Sequence, residues 1–389
     1  MTIQCASGGR YAAYTNHEIL TDLLAERSLD TLCFLRVTSC LPQQTCIQHH
    51  GENNTRVGDI LFTPHTYPAA LLLMILSMLC WGSWANTQKI DRAWRFELFY
   101  LDYTFGLLIA SLLFALTLGH TDPTSADSFF VNLHSASTRS SVEAFLGGAI
   151  FSIGNILLVA AISVAGMAVA FPVGAGLALV LGSLLNYFVS PTGNPILIFG
   201  GIAFVCVAIG LDALAYRDLE GPGRSSAKGI LLSIAGGIGA GLFYPFVAKS
   251  LTGPAHLVPY TVNLIFAIGA LASAIPMAYL LMRKPVTGTP LTLSDYTAGS
   301  PRLHAWGLVG GLLWGLGTIA NFVASYVPMI GPATSFAMGE GNTMISALWG
   351  VFIWKEFKGA TARVKILLAL MFLFFLLGMT SIALAPIVK

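Results

Sequence analysis

Ten apolar stretches, each about the length of a bilayer-crossing helix and almost free of charge, fill residues 69 to 386. They fall five to each half in the same rhythm. A chain patterned this way has few folds open to it. Charged residues make up 10% of the sequence and hydrophobic ones 55%, too little polar surface to coat a water-soluble body. The repetition narrows the choice further. A unit with an odd number of crossings turns upside down when duplicated, and inverted repeats are the architecture of alternating-access carriers. The expected fold is an all-α integral membrane protein of ten transmembrane helices, arranged as two inverted five-helix repeats in the lipid bilayer.

The predicted spans are 69–86, 98–119, 142–164, 168–188, 195–215, 227–248, 260–282, 303–326, 330–353 and 363–386. Residues 142–188 and 303–353 each exceed twice one span, so each folds back as a helical hairpin. Gly166 marks the first bend; Pro328, Gly331 and Pro332 mark the second. The division that follows is a first repeat over 65–216, a connector over 217–226 and a second repeat over 227–389.

Loop charge agrees with ten crossings. Lys89, Arg92, Arg95, Arg217, Arg224, Lys228, Arg283, Lys284, Arg302, Lys355, Lys358, Arg363 and Lys365 all fall on one side. The opposite loops hold Arg139 and Lys249. The positive-inside rule puts the crowded side in the cytoplasm of a plasma or inner membrane and both termini outside. Residues 1–64 are polar, without amphipathic rhythm or a signal-peptide core, and read as a disordered or non-native extension. Cys40, Cys46, His49 and His50 there fit no zinc spacing, and no metal or other cofactor is expected. Cys80 and Cys206 lie in apolar spans and read as small buried hydrophobes. Nucleic-acid binding is excluded for want of a basic stripe.

The duplication is visible in the residues. The third span opens GGAIFSIGNILL from Gly147 and the eighth GGLLWGLGTIAN from Gly310. Each leads through its bend into a glycine-rich span, MAVAFPVGAGLALVLGSLLNYF from Met167 and GPATSFAMGEGNTMISALWGVFIWKEF from Gly331. Glycine- and proline-interrupted helices at matching places in both halves point to a central binding site.

Several of these segments resemble the ureide permease family: LGSLLNYF (Leu181–Phe188) after SIGNILLVAAISVAG, YLDY (Tyr100–Tyr103), and WGVFIWKEF (Trp349–Phe357). The likeness covers residues 68–386. It implies membership of the drug/metabolite transporter superfamily, near bacterial glucose/ribose and rhamnose porters. It also implies ten helices and proton-coupled uptake of small polar solutes such as ureides, nucleobases or sugars. Plant members have a long central loop with a nucleotide-binding-like motif, whereas Arg217–Lys228 is short here. No GxxxxGK occurs, so ATP dependence has no support.

Ionisable groups within spans are the sharpest functional clues, since each costs roughly 2.5–3.5 kcal/mol at the bilayer centre on insertion scales. Glu340, deep in the ninth span between Gly339 and Gly341, is the first candidate for proton coupling. Desolvation there would tax its charged form, which suits a group that must take up and release a proton. Asp102 in YLDY is the second, against a plain ion pair with Lys89, Arg92 or Arg95. Asp212 reads as an interfacial partner of Arg217, and Glu356 as a charge pair with Lys355. Asn155, Asn321 and Asn342 offer amides that donate and accept, matching ureides, lactams and sugar hydroxyls alike, against helix-to-helix bonding as the plain alternative. Trp81 and Trp84 offer flat faces to a ring or sugar, against an interfacial belt. Asn86 and Gln88 close the same motif at the cytoplasmic gate. Tyr244 joins the substrate-binding candidates because Pro245 beside it could open the sixth helix.

The preferred function is a secondary active transporter importing a small polar metabolite with a proton, with an exporter of the same superfamily as the alternative. A membrane enzyme would need a clustered nucleophile and base, and no Ser/His/Asp grouping lies in the spans; His256 and His304 stand at span edges. A non-transporting sensor shares that lower rank. The solute and the oligomeric state are open at this level.

Overall fold

The computed structural model describes residues 63–388, apart from 91–93, 121–122, 124, 166 and 221–226, together with two short strands near the amino terminus. Cys33, Cys40, Cys46, His49, His50, Arg92, Gly166 and Arg224 lie outside the described residues. The strands, β1 (Ile3–Ser7) and β2 (Arg10–Tyr14), pair antiparallel with Ile3 opposite Tyr14, in a unit separate from everything after Gly58.

Among the described residues of the membrane part, the regular structure is all helix. Its elements are α1 (Tyr67–Ser83), α2 (Ala85–Ile90), α3 (Phe96–Leu116), α4 (Phe129–Ser135), α5 (Thr138–Ala165), α6 (Met167–Val189) and α7 (Pro195–Glu220). The second half holds α8 (Ala227–Ser250), α9 (Pro259–Arg283), α10 (Leu293–Thr297), α11 (Pro301–Tyr326), α12 (Gly331–Gly339), α13 (Asn342–Leu348), a π turn (Trp349–Ile353) and α14 (Ala362–Leu384). Among the described residues eight helices are long and apolar enough to cross a bilayer, with α1 and α2 counted as one. The other two apolar stretches are α6 and the interrupted run from Gly331 to Ile353.

Local sequence explains the boundaries. Proline opens α7, α9 and α11, where its missing N–H costs nothing. Thr361 caps α14 by accepting from the Val364 amide. The bend foreseen before the ninth segment is present: Gly331 takes φ +70° against Thr192, and Pro332 sits in the first turn of α12. The stretch does not continue as one helix. Glu340 and Gly341 adopt ψ near zero, in a Gly-Glu-Gly run of low helix propensity, and separate α12 from α13. Conversely, Pro245 lies inside an uninterrupted α8, so no break opens there.

Packing follows a cross-wise scheme. The helix α5 lies on α8 and α9, while α11 lies on α1 and α3. On the same plan α6 packs on α8, α12 and α13 pack on α1, and α7 pairs with α14. Two crossings bring backbones into contact. A Cβ at Gly148 would stand 1.9 Å from the Phe266 carbonyl oxygen, and one at Gly269 2.1 Å from that of Phe145. In the other crossing, a Cβ at Gly311 would stand 1.9 Å from the Tyr103 oxygen, and one at Gly106 2.2 Å from that of Leu308. Small residues at such crossings let dispersion replace the hydrophobic force that lipid removes. The peripheral pair α7 and α14 turns Phe204, Val207, Leu373 and Leu376 outward, as lipid-facing surface requires.

Candidate functional site

A cavity of about 580 Å³ lies between α1, α5, α6, α11 and the interrupted ninth segment. It reaches from Trp81, Phe151, Trp314 and Glu340 deep in the bundle to Lys89, Arg95, Trp354 and Glu356 at one end. Aromatic faces build its floor. Trp314 stacks on Phe151, with ring centres 4.1 Å apart and planes at 26°, and on Trp81 at 5.5 Å and 11°. The Trp81 indole donates to Thr318 Oγ1 at 3.1 Å, which fixes its plane. Trp84 packs on Tyr103 at 4.6 Å.

Polar groups line the walls: Asn155, Asn342, Thr343 and Ser346. Asn155 Nδ2 reaches the Tyr100 hydroxyl at 3.4 Å, and that hydroxyl donates to the Ser152 carbonyl at 3.0 Å. Glu340 faces the cavity at the break between α12 and α13. Gly339 before it is wedged against the Trp81 ring and the Asn321 amide, which leaves no room for a side chain. The Glu340 carboxylate has neither a hydrogen-bond nor an ion-pair partner among the described residues. The other charged lining groups are matched. Lys89 is paired with Glu356, and Arg95 with Glu97.

The mouth joins the end of α1–α2 to the end of the ninth segment. Tyr216 donates to Glu356 Oε2 at 2.8 Å, Trp354 Nε1 to Asn86 Oδ1 at 2.6 Å, and Trp349 Nε1 to Ser83 Oγ at 2.9 Å. Lys89 also sits over the Trp354 ring at 5.4 Å. Glu356 thus pairs across the bundle rather than with its neighbour Lys355. Gln88 lines the same mouth.

Trp81, Trp84, Asn155, Glu340 and Asn342 are brought together in this cavity. Asp102, Asn321 and Tyr244 stand apart from it. Asp102 is 2% exposed and accepts from Trp94 Nε1 at 2.9 Å and Tyr296 Oη at 2.6 Å, with His304 Nδ1 at 2.9 Å. It ties α3 to α10 and α11, and its partners among the described residues are neither Lys89 nor Arg95; Arg92 lies outside the described residues. Asn321 and Tyr244 bond to each other in a fully buried layer beyond the cavity floor, where Asn321 also donates to Ser77 Oγ at 3.1 Å and to the Ser335 carbonyl at 2.9 Å. Asp212 is not paired with Arg217, which bonds Asp218; one of its oxygens is buried without a partner.

Sequence reasoning passed over Trp314 and Phe151. Both occupy the fifth place of the matching segments opened by Gly147 and Gly310, so setting those segments in register finds them.

Comparison with known proteins places these observations in a family. The sugar transport protein family model matches residues 72–385. Ureide permease 1 of Arabidopsis thaliana is 23% identical over 79% of this chain and 95% of its own length. The glucose uptake protein of Bacillus subtilis (strain 168) is 26% identical over 57% of this chain and 71% of its own. A solved crystal structure superposes with a TM-score of 0.50 at 18% identity, covering 83% of this chain and 100% of the other, a likeness of fold alone. With its apolar helices and a solute-sized cavity among them, the chain belongs to the sugar transport protein family and is a multi-pass membrane transporter of small polar metabolites.

Proposed function

We propose that this transporter is a secondary active carrier that brings a ureide, nucleobase or sugar across the plasma or inner membrane with a proton, and that Glu340 carries that proton. One observation supports this most directly: among the described lining residues, Glu340 is the ionisable group left without a partner. A bare carboxylate at mid-bilayer is expensive, and taking up a proton or accepting from a solute N–H or O–H removes that cost. Trp81 and Trp84 give the solute flat faces, and Asn155 and Asn342 give it donors and acceptors. Asp102 is assigned a positioning role here, because its oxygens are already engaged.

Ten spans in two inverted repeats fit the packing. Setting Gly147 on Gly310 pairs Gly148 with Gly311, and the same shift pairs Phe266 with Tyr103, so one glycine crossing is the mate of the other. The helix pairs α5–α8 and α11–α1 are mates on this plan, as are α6–α8 and the ninth segment with α1. The basic loops then face the cytoplasm, and the cavity opens inward.

Uptake into proteoliposomes of allantoin, uracil and glucose, each under an inwardly directed proton gradient, tests the reading. One coupled proton supports about tenfold accumulation per pH unit. Glu340→Gln retains exchange of labelled solute and loses the accumulation. Concentrative uptake by that variant, or wild-type transport indifferent to pH, would overturn the coupling. Export driven by the opposite gradient would favour the exporter reading instead.

A further inference from the structure

Among the described residues a few buried polar side chains have no partner; besides Asp212 near the cavity mouth and Tyr103 beside the cavity, they include a set on α6 and α12 farther from the mouth. Asn186 on α6 is fully buried, and neither its amide nitrogen nor its oxygen has a partner among the described residues. Ser183 Oγ on the same helix and Thr334 Oγ1 on α12, which packs against it, are in the same condition. Buried amides without partners are rare because each forfeits its bonds to water. The position of Asn186 is defined. One turn before it, Gly182 is pressed against the Phe336 ring and the Gly241 carbonyl, so Asn186 lies one turn farther from the cavity on the same face. One turn beyond Asn186, Ser190 lines a cleft of about 150 Å³ together with Thr192, Ala248, Ser325, Gly331 and Pro332.

The duplication identifies that cleft. Setting Met167 on Gly331 pairs Ser190 with Trp354, Thr192 with Glu356, Gly182 with Ser346 and Asn186 with Gly350. Setting Gly147 on Gly310 pairs Ile162 with Ser325. Every first-named or second-named mate of this set that belongs to the inner end (Trp354, Glu356, Ser346, Gly350, Ile162) lines the large cavity. The outer cleft is therefore the collapsed counterpart of the open mouth, and Asn186 occupies the place that Gly350 holds in the open one.

We infer that Asn186, with Ser183 and Thr334, forms the polar lining of an outward-facing vestibule that first receives the solute. This rests on the carrier reading and its two repeats. An amide flanked by hydroxyls, with no ionisable group among the three, selects a neutral solute bearing both donors and acceptors over a carboxylate or an ammonium compound. In the inward-open form the three groups are buried, and closing the inner mouth exposes them.

Single cysteines at positions 186 and 334, in a background with the native cysteines replaced, test this with a membrane-impermeant methanethiosulfonate reagent applied from outside; Ser190→Cys serves as the accessible reference. The expected result is labelling of Asn186→Cys and Thr334→Cys from outside, slower than at 190 and slowed further by whichever of allantoin or glucose is transported. Asn186→Leu should raise KM for external solute on the order of tenfold and leave KM from the inner face unchanged, with Asn186→Ser recovering most of the loss. Folded cysteine variants that label only from inside, or stay unlabelled while position 190 reacts, refute the vestibule. So does an unchanged external KM in Asn186→Leu. Wild-type uptake reads out the carrier assignment separately, so a working carrier that never exposes residue 186 overturns this inference alone.

Discussion

The two halves of the helical bundle agree where backbones touch and differ along the cavity. Gly148 and Gly269 form one crossing and Gly106 and Gly311 the other, each with a carbonyl oxygen of the facing helix where a Cβ would go. In the matching glycine-rich segments, by contrast, Gly176 stands opposite Glu340, Ala178 opposite Asn342 and Gly350 opposite Asn186. Phe151 and Trp314 sit between these extremes, since they keep aromatic character and stack on each other. Geometry has been held common to both halves, and chemistry has been divided between them. On the proposed reading, two inverted repeats need equal frames to exchange open ends, while one proton site suffices for coupling.

The strongest way to break that comparison is at the frame. Gly148→Leu and Gly311→Leu should each cost more than about 4 kcal/mol, because the new Cβ meets backbone that cannot move aside. Both variants are expected to vanish from the membrane fraction or to melt far below wild type in detergent, to similar extents. Tolerance of one and loss of the other would show that the two crossings are not equivalent supports.

Next in size is the aromatic stack. Trp314→Ala removes contacts with Trp81, Phe151 and Phe266 together and should destabilise by about 3–5 kcal/mol. Phe151→Ala leaves Trp314 its contacts with Trp81, Tyr103 and Phe266 and should cost less, at the lower end of that range. Thermal unfolding in detergent orders the pair. If Phe151→Ala proves the worse of the two, the first half carries more of the core than its packing suggests.

The buried amide layer comes third. Asn321→Leu takes the amide partner from the Tyr244 hydroxyl, Ser77 Oγ and the Ser335 carbonyl, for a loss of about 2–3 kcal/mol. Asn155→Leu, at the half-open wall with one long contact to Tyr100, should cost under about 1 kcal/mol and act mainly on solute KM. Equal losses at both would erase the distinction between a sealed layer and a cavity wall.

These contrasts also set how far the sequence could be read. The helices, the second bend and Glu340 were legible because apolar length and an intramembrane charge are visible residue by residue. The partners of Asp102 were not. Trp94, Tyr296 and His304 come from three separate places in the chain, and no local pattern announces their meeting. The same holds for Asn321, whose amide looks like any solute-facing amide until Ser77 and Ser335 are seen to occupy it. Pro245 misled in another way, since proline within a packed membrane helix is tolerated when neighbours restore its environment. The break at Glu340 came from Gly339 and Gly341, residues that read as spacers around the acid.

The smallest expected effect concerns the connectors. Between α3 and α5 the short helix α4 holds the start of α9, with Asn132 Oδ1 accepting from the Val258 amide at 3.0 Å. Between α9 and α11 the short helix α10 stands near the start of α3, where Arg95 Nη1 donates to the Thr289 carbonyl at 2.5 Å. The first connector is anchored by its buried Phe129 and Asn132; no residue of the α10 helix in the second is buried. Its capping box joins Thr292 to Asp295, whose carboxylate accepts from the Thr292 hydroxyl and amide, each at 2.7 Å. Those bonds hold the Asp295 carboxyl below its usual range, with Arg95 adding a minor pull. A depressed value means that the cap contributes fully above the ordinary aspartate range and is lost as pH falls through the folded value. Acidification below about pH 4 should therefore loosen α10, seen as faster amide hydrogen exchange over residues 292–298, while α4 stays protected. Asp295→Asn should reproduce the loosening at neutral pH. Exchange in α10 that ignores both acid and the substitution would mean that Arg95, Tyr296 and the tie to Asp102 hold this connector without its cap.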